Sequence, residues 1–248
     1  MRQKLLLTVC FTVLIATHAF SSCSAPQNAI EAENCNTGSN SWAVNNPDST
    51  IQGFTTDISY NVGDTVNFKI STPATSYHIS ILRMGYYQGN GARLITTISP
   101  SAKLPQTQPA CLTNAATNLV DCGNWAISAS WTIPTTAVSG IYFADIVRGD
   151  TGGANQIFFV VRNDSSHSDV LFQTADESWE AYNGYGGHSL YGSNAFDLTN
   201  RAYKVSYNRP FAWIETETQP FYAEYPMVRW LEANGYDVSY TSSVDSAR

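Results

Sequence analysis

Gly140-Ile141-Tyr142-Phe143-Ala144-Asp145-Ile146-Val147-Arg148 and Gln156-Ile157-Phe158-Phe159-Val160-Val161-Arg162 decide the fold class. Both are rich in β-branched and aromatic residues and repeat the apolar/polar period of a strand, and Gly152-Gly153 between them supplies a turn. The same pattern extends upstream through Ile51-Gln52-Gly53-Phe54, Val66–Ile70, Tyr77–Met84 and Ala129–Pro134, with Asn61-Val62-Gly63-Asp64 as a further turn. Short strands at this spacing predict a sandwich of two antiparallel sheets over residues 51–163. The stretch from Ser99 to Asn124 reads as a long loop.

Beyond a polar joint, Asn163–Ser168, the pattern changes. Asp169–Gln173 is a compact apolar strand, and Thr174 and Asp176 are candidate N-caps for a short helix through Trp179 and Tyr182. Lys204-Val205-Ser206-Tyr207 reads as a second strand, stopped by Asn208-Arg209-Pro210. Pro226 opens a helix carrying Met227, Trp230 and Leu231 at i, i+3 and i+4, Asn234-Gly235 closes it, and Tyr236–Tyr240 resumes as a strand. Strand, helix, strand with short joints is the unit of a parallel, Rossmann-like α/β sheet. The expected fold is therefore mixed: an antiparallel β-sandwich followed by the beginning of an α/β domain over 168–248. So small a parallel sheet would leave an edge and a face open, so the sequence is expected to be incomplete.

The N-terminus has the layout of a secretory signal peptide over residues 1–22: Arg2 and Lys4, an apolar run from Leu5 to Ala16, then small residues from Ser21. The run is shorter than the roughly 20 apolar residues of a membrane span, and Phe20-Ser21-Ser22-Cys23 is a poor lipid-attachment box. Residues 23–50 read as an Asn/Ser-rich linker. Lys and Arg number 13 against 20 Asp and Glu; without Arg2 and Lys4 the balance is 11 against 20, near −9. Sparse, scattered basic residues exclude a phosphate-backbone partner. With Cys10 in the leader, Cys23, Cys35, Cys111 and Cys122 remain, an even number that reads as disulfides in an exported chain. Cys111 with Cys122 would close a short polar loop, and Cys23 with Cys35 would staple the N-terminal tail. Zinc is the rival reading, but neither spacing suits a knuckle and no His lies nearby. The expected location is secreted and extracellular, or periplasmic in a bacterium. Asn163-Asp164-Ser165 is a sequon that only a eukaryotic route would glycosylate.

Three segments together resemble a known family: Trp179–Tyr191 (WEAYNGYGGHSLY), Val205–Pro210 (VSYNRP) and Arg229–Tyr240 (RWLEANGYDVSY). They are similar to the C-terminal region of the N,N-dimethylformamidase large (β) subunit, and Ile81–Tyr87 with Gly140-Ile141-Tyr142 resemble the β-sandwich that precedes it in secreted relatives. The resemblance implies an amide hydrolase with one iron held by two tyrosinates and a glutamate. By motif, Tyr182 and Tyr191 are the positions carried over as ligands. The third ligand has no counterpart: Glu215, Glu217 and Glu224 are the nearest carboxylates, and none matches the family's His-Asp-Glu-Tyr-Trp-like motif.

The same residues have plainer readings. Tyr182 and Tyr191 suit packing rings with hydrogen-bonded hydroxyls. His188 is a candidate general base at a loop tip or a solvent-exposed loop residue. Gly184–Gly187 could admit a ligand to the backbone or form a flexible turn, and Arg209 suits an ion pair better than a substrate carboxylate. Ser189 lacks the context of a nucleophile elbow. Two functions follow: an exported iron-dependent hydrolase of small-molecule amides, or a non-enzymatic β-sandwich presenting Tyr86, Tyr87, Trp125 and Trp131 to a surface glycan.

Overall fold

The computed structural model describes residues 23–192, 198–212 and 220–248. The segment expected as a leader, residues 1–22, and the carboxylates Glu215 and Glu217 lie outside the described residues. In chain order the elements are α1 (Ala29–Asn34), β1 (Gln52–Thr55), β2 (Ser59–Asn61), β3 (Thr65–Ser71), β4 (Tyr77–Met84), β5 (Ala92–Ile98), β6 (Leu112–Asn114), β7 (Leu119–Asp121), β8 (Ala129–Thr132), β9 (Gly140–Arg148) and β10 (Ala154–Arg162). Then follow β11 (Val170–Gln173), α2 (Asp176–Tyr182), α3 (Pro220–Ala223), α4 (Tyr225–Ala233), β12 (Val238–Thr241) and α5 (Ser243–Ser246).

The chain is a β-rich mixed α/β protein. β1, β3 and β8 form an antiparallel sheet, and β2-β10-β9-β4-β5 form a mixed one, antiparallel except for the parallel pairing of β2 with β10. β6 and β7 make a hairpin inside the stretch expected as a loop, and β11 pairs with β12 in parallel. The strand expected over Lys204–Tyr207 does not form. Its alternation serves a different end: the Ser206 hydroxyl donates to Asp121 at 2.6 Å and the Tyr207 hydroxyl to Asp176 at 2.8 Å, so these side chains tether an irregular segment.

The five-stranded sheet is apolar on both faces, which is why β9 and β10 read as nearly continuous hydrophobic runs. Tyr142, Ala144, Ile146, Ile157, Phe159 and Val161 share one core with Val66, Phe68, Ile70 and Trp131 of the three-stranded sheet. On the other face Ile141, Phe143, Phe158 and Val160 share a second core with Ile30 of α1, Trp179 of α2, Val228 and Leu231 of α4, and Val238 and Tyr240 of β12. Residues on both sides of the 163–168 joint thus meet in a single core. The segment expected as a linker contributes to it, because α1, capped by the Asn28 side chain and stapled by the Cys23–Cys35 disulfide, buries Ile30 to 1% exposure. The second disulfide, Cys111–Cys122, closes the β6–β7 hairpin. No described helix is long and apolar enough to cross a membrane.

A buried ion pair crosses this second core. Arg83 of β4 donates to Glu232 of α4 through Nη2 at 2.8 Å and Nη1 at 3.1 Å, both side chains fully buried. The remaining guanidinium bonds go to the Ser139 and Met84 carbonyls and the Tyr87 hydroxyl. Glu232 also accepts from Tyr240 Oη at 2.8 Å and Asn34 Nδ2 at 2.9 Å. Burial, the largest single influence, works against the Arg83 charge, but the charge and hydrogen bonds of Glu232 together with the Tyr87 and Tyr142 phenols outweigh it, holding the guanidinium well above its usual range. Gly140 makes the room, since a Cβ there would lie 2.8 Å from Arg83 Nε. The pair also sets the rotation of α4: Val228, Leu231 and Glu232 face inward, leaving Met227 and Trp230 about half exposed.

Two outcomes follow. Arg83→Met strands the Glu232 carboxylate and should cost about 3–5 kcal/mol in urea unfolding. Burial raises the Asp145 carboxyl from 3.8 to about 7 against one hydrogen bond from Gln156. The native state therefore holds a proton that the unfolded chain has released, and this contribution to stability declines as pH rises from about 4 to 7. Asp145→Asn should flatten that slope; an unchanged pH profile would contradict it.

Candidate functional site

The site grows from the two ends of α2. Thr174 and Asp176 do not cap the helix; Ala175 occupies that position, and its backbone N–H donates to Glu224 Oε1 at 2.9 Å. Glu224 also accepts from Trp179 Nε1, so this acceptor, supplied from just before α4, fixes how α2 starts. Asp176 lies inside the first turn, fully buried, accepting from Thr174 Oγ1, the Ser243 backbone and hydroxyl, and Tyr207 Oη. After Tyr182 the chain turns extended at Asn183, whose Oδ1 accepts from the Tyr185 and Ala212 backbones while Nδ2 donates to Glu180 and the Pro210 carbonyl.

Arg209 clamps this turn. Its Nε donates to Glu180 Oε2 at 3.3 Å and to the Ser206 carbonyl. Nη1 donates to the Tyr185 and His188 carbonyls, both at 3.2 Å, and Nη2 to the Glu180 carbonyl at 3.0 Å. Arg209 is therefore an ion-pair residue that ties the helix end to the glycine-rich loop. Both members of the pair are buried, and burial pushes the Glu180 carboxyl up to about 7 against the pull of Arg209.

The loop then delivers the second tyrosine. Ser189 donates its hydroxyl to the Gly192 carbonyl and accepts from the Tyr191 backbone, while the Leu190 N–H returns to the Ala181 carbonyl at 2.9 Å. This turn lays the Tyr191 ring on that of Tyr182, centroids 4.3 Å apart and planes 21° from parallel. Tyr191 is 39% exposed. His188 has its own contacts: Nδ1 lies 3.0 Å from the Asn200 carbonyl, and the residue lines a cleft of about 280 Å³ together with the β6–β7 hairpin. The hairpin is pinned to the loop region by Cys122 N–H to the Asn208 carbonyl, Tyr203 N–H to the Thr117 carbonyl and Asn118 Nδ2 to the Arg201 carbonyl. Gly186 permits this approach: its φ is +82°, and a Cβ would lie 2.7 Å from a Val120 methyl.

The sequence profile of the N,N-dimethylformamidase beta subunit-like, C-terminal family matches residues 78–248. The chain belongs to that family. The match begins at the second residue of β4, so the family unit includes most of the five-stranded sheet as well as the tyrosine pair and its clamp. No curated protein matches the chain. A solved structure, a family 123 glycoside hydrolase from Clostridium perfringens, aligns at 13% identity with a TM-score of 0.18, covering 50% of this chain and 27% of its own. The chain thus spans about a quarter of that protein's length, and a likeness this slight carries no argument.

For a member of the dimethylformamidase-like family, the donors can be weighed against an iron. Tyr182 and Tyr191 carry phenol oxygens of the hard type that ferric iron prefers, on rings whose centroids lie 4.3 Å apart. The carboxylate partner is not supplied among the described residues: Glu180 is engaged by Arg209 and Asn183, and Glu224 by Ala175 and Trp179. No three described His, Cys, Asp or Glu side chains gather as a metal group. The aromatic platform expected for a glycan does not exist as such, because Tyr87, Trp125 and Trp131 are 0%, 6% and 8% exposed and pack in cores. Tyr86, the fourth ring, is half-buried. Arg209→Lys removes the fork that reaches two carbonyls of the loop, and the Leu190 amide should then exchange with deuterium roughly tenfold faster or more; an unchanged rate would show that the clamp does not hold the loop.

Proposed function

We propose that this chain is an exported hydrolase of amide-like C–N bonds in small molecules, built as a β-sandwich with the beginning of an α/β unit docked against it. The observation that carries the reading is the stack of Tyr182 on Tyr191 at the positions the family motif singles out. Two disulfides suit an oxidising compartment outside the cytoplasm.

In this reading Tyr182 and Tyr191 hold one iron, which supplies a Lewis acid for an amide carbonyl or a bound water. The protein's own contribution is placement. Asn183 and Arg209 fix the backbone on either side of the two phenols, so their oxygens are positioned before any ligand arrives. Donation from His188 Nδ1 to the Asn200 carbonyl would leave Nε2 with its lone pair, a base able to take a proton from water. The residues 1–22 serve as the leader, and the unmatched carboxylate ligand is expected from chain outside the described residues.

Metal analysis and visible absorption test the proposal. Purified protein reconstituted with ferric iron should bind it and show a tyrosinate-to-iron band that Tyr182→Phe and Tyr191→Phe each weaken and shift and the double variant abolishes. Protein that stays colourless and iron-free, while folded by circular dichroism, would remove the iron-dependent reading.

A further inference from the structure

A cleft of about 460 Å³, lined by neither Tyr182 nor Tyr191, is walled by Gln27–Ile30, Thr135–Ser139, residues of the 163–168 joint and Asp237–Ser239. Its floor carries a closed ring of three hydroxyls: Ser166 to Ser168 at 2.7 Å, Ser168 to Ser239 at 2.8 Å, and Ser239 to Ser166 at 2.8 Å. Each hydroxyl has one proton and two lone pairs. A ring consumes all three protons and leaves an unused lone pair on every oxygen, so this floor accepts hydrogen bonds and donates none.

Asp237 adds charge to the same wall. It stands just before β12, two residues from Ser239, and both residues line the cleft. Its carboxylate makes no hydrogen bond or ion pair with a described residue, and no Lys or Arg lines the cleft. Two further polar side chains of the wall are already engaged: Asn28 binds the Gly235 carbonyl and the Glu31 N–H, and the Ser139 hydroxyl binds the Val161 carbonyl and the Tyr240 N–H. His167, the other titratable residue of the lining, makes no hydrogen bond to the serines, so the ring has no base to activate it and is suited to binding rather than cleavage.

We propose that this cleft binds a small organic cation, an ammonium or guanidinium group, with Asp237 as counter-ion and the serine oxygens as acceptors. Such a group is all donor, the complement of an acceptor wall. Ala137 and Val138, both partly exposed, supply apolar surface for its alkyl part. A single carboxylate is too few for calcium, which gathers several charged oxygens. The site is independent of the iron reading.

Titration of the full chain with ethylammonium chloride, followed through the amide resonances of Ser166, Ser168 and Ser239, tests it. Saturable shifts are expected from ethylammonium and none from the similarly sized, uncharged n-propanol. Asp237→Asn should weaken binding roughly tenfold or more, and Ser168→Ala, which keeps the charge and opens the ring, by a smaller factor. Equal shifts with n-propanol, unchanged affinity in both variants, or saturation by calcium chloride in place of ethylammonium would each overturn the assignment.

Discussion

The buried contact between Arg83 and Glu232 constrains everything built on it. A guanidinium and a carboxylate removed from water lose several kcal/mol of hydration each, and only close, fully bonded geometry returns it. Arg83 is fixed by its strand, so Glu232 must come to it, and α4 can dock on the sheet in one rotation and one register. Asn34 and Tyr240 complete the lone pairs of Glu232 and thereby set α1 and β12 as well. One ion pair orders three elements, α1, α4 and β12, around a strand distant from each of them in sequence.

That order reaches the tyrosines through a short relay. Glu224, just before α4, holds the first turn of α2; α2 ends at Tyr182; and Arg209 and Asn183 join that end to the loop that carries Tyr191. The site end of this relay is a glycine-rich loop held by backbone bonds and one clamp, whereas its root lies in an apolar core. The β6–β7 hairpin braces the loop from the other side, and its disulfide keeps that brace short and local. A second buried cation, Arg209, does for the loop what Arg83 does for the core.

The strands were legible where burial follows a simple period. Tyr77–Met84, Gly140–Arg148 and Gln156–Arg162 form as read, and both cysteine pairs join as their spacing suggests. Arg83 was not legible: inside the run Ile81–Met84 a lone arginine reads as an outward polar residue, and only a partner 149 positions away makes it a core group. α1 was hidden because a polar segment needs just one anchor, Ile30, to dock. Lys204–Tyr207 misled because hydroxyls turned toward the carboxylates of Asp121 and Asp176 mimic strand alternation. Met227 and Trp230 sit at helical spacing with Leu231, yet the demand of Glu232 for Arg83 turns them outward. The meeting of Tyr182 with Tyr191 came from family motifs; no periodicity predicts a stack made by a turn at Ser189.

Native-state hydrogen exchange under EX2 conditions tests the coupling most directly. If the Arg83–Glu232 pair joins the sheet and the docked elements into one cooperative unit, core amides of β9, α4 and β12 will open with the same free energy and the same denaturant dependence. Amides of α4 and β12 that exchange through a cheaper opening, while β9 stays protected, would contradict it.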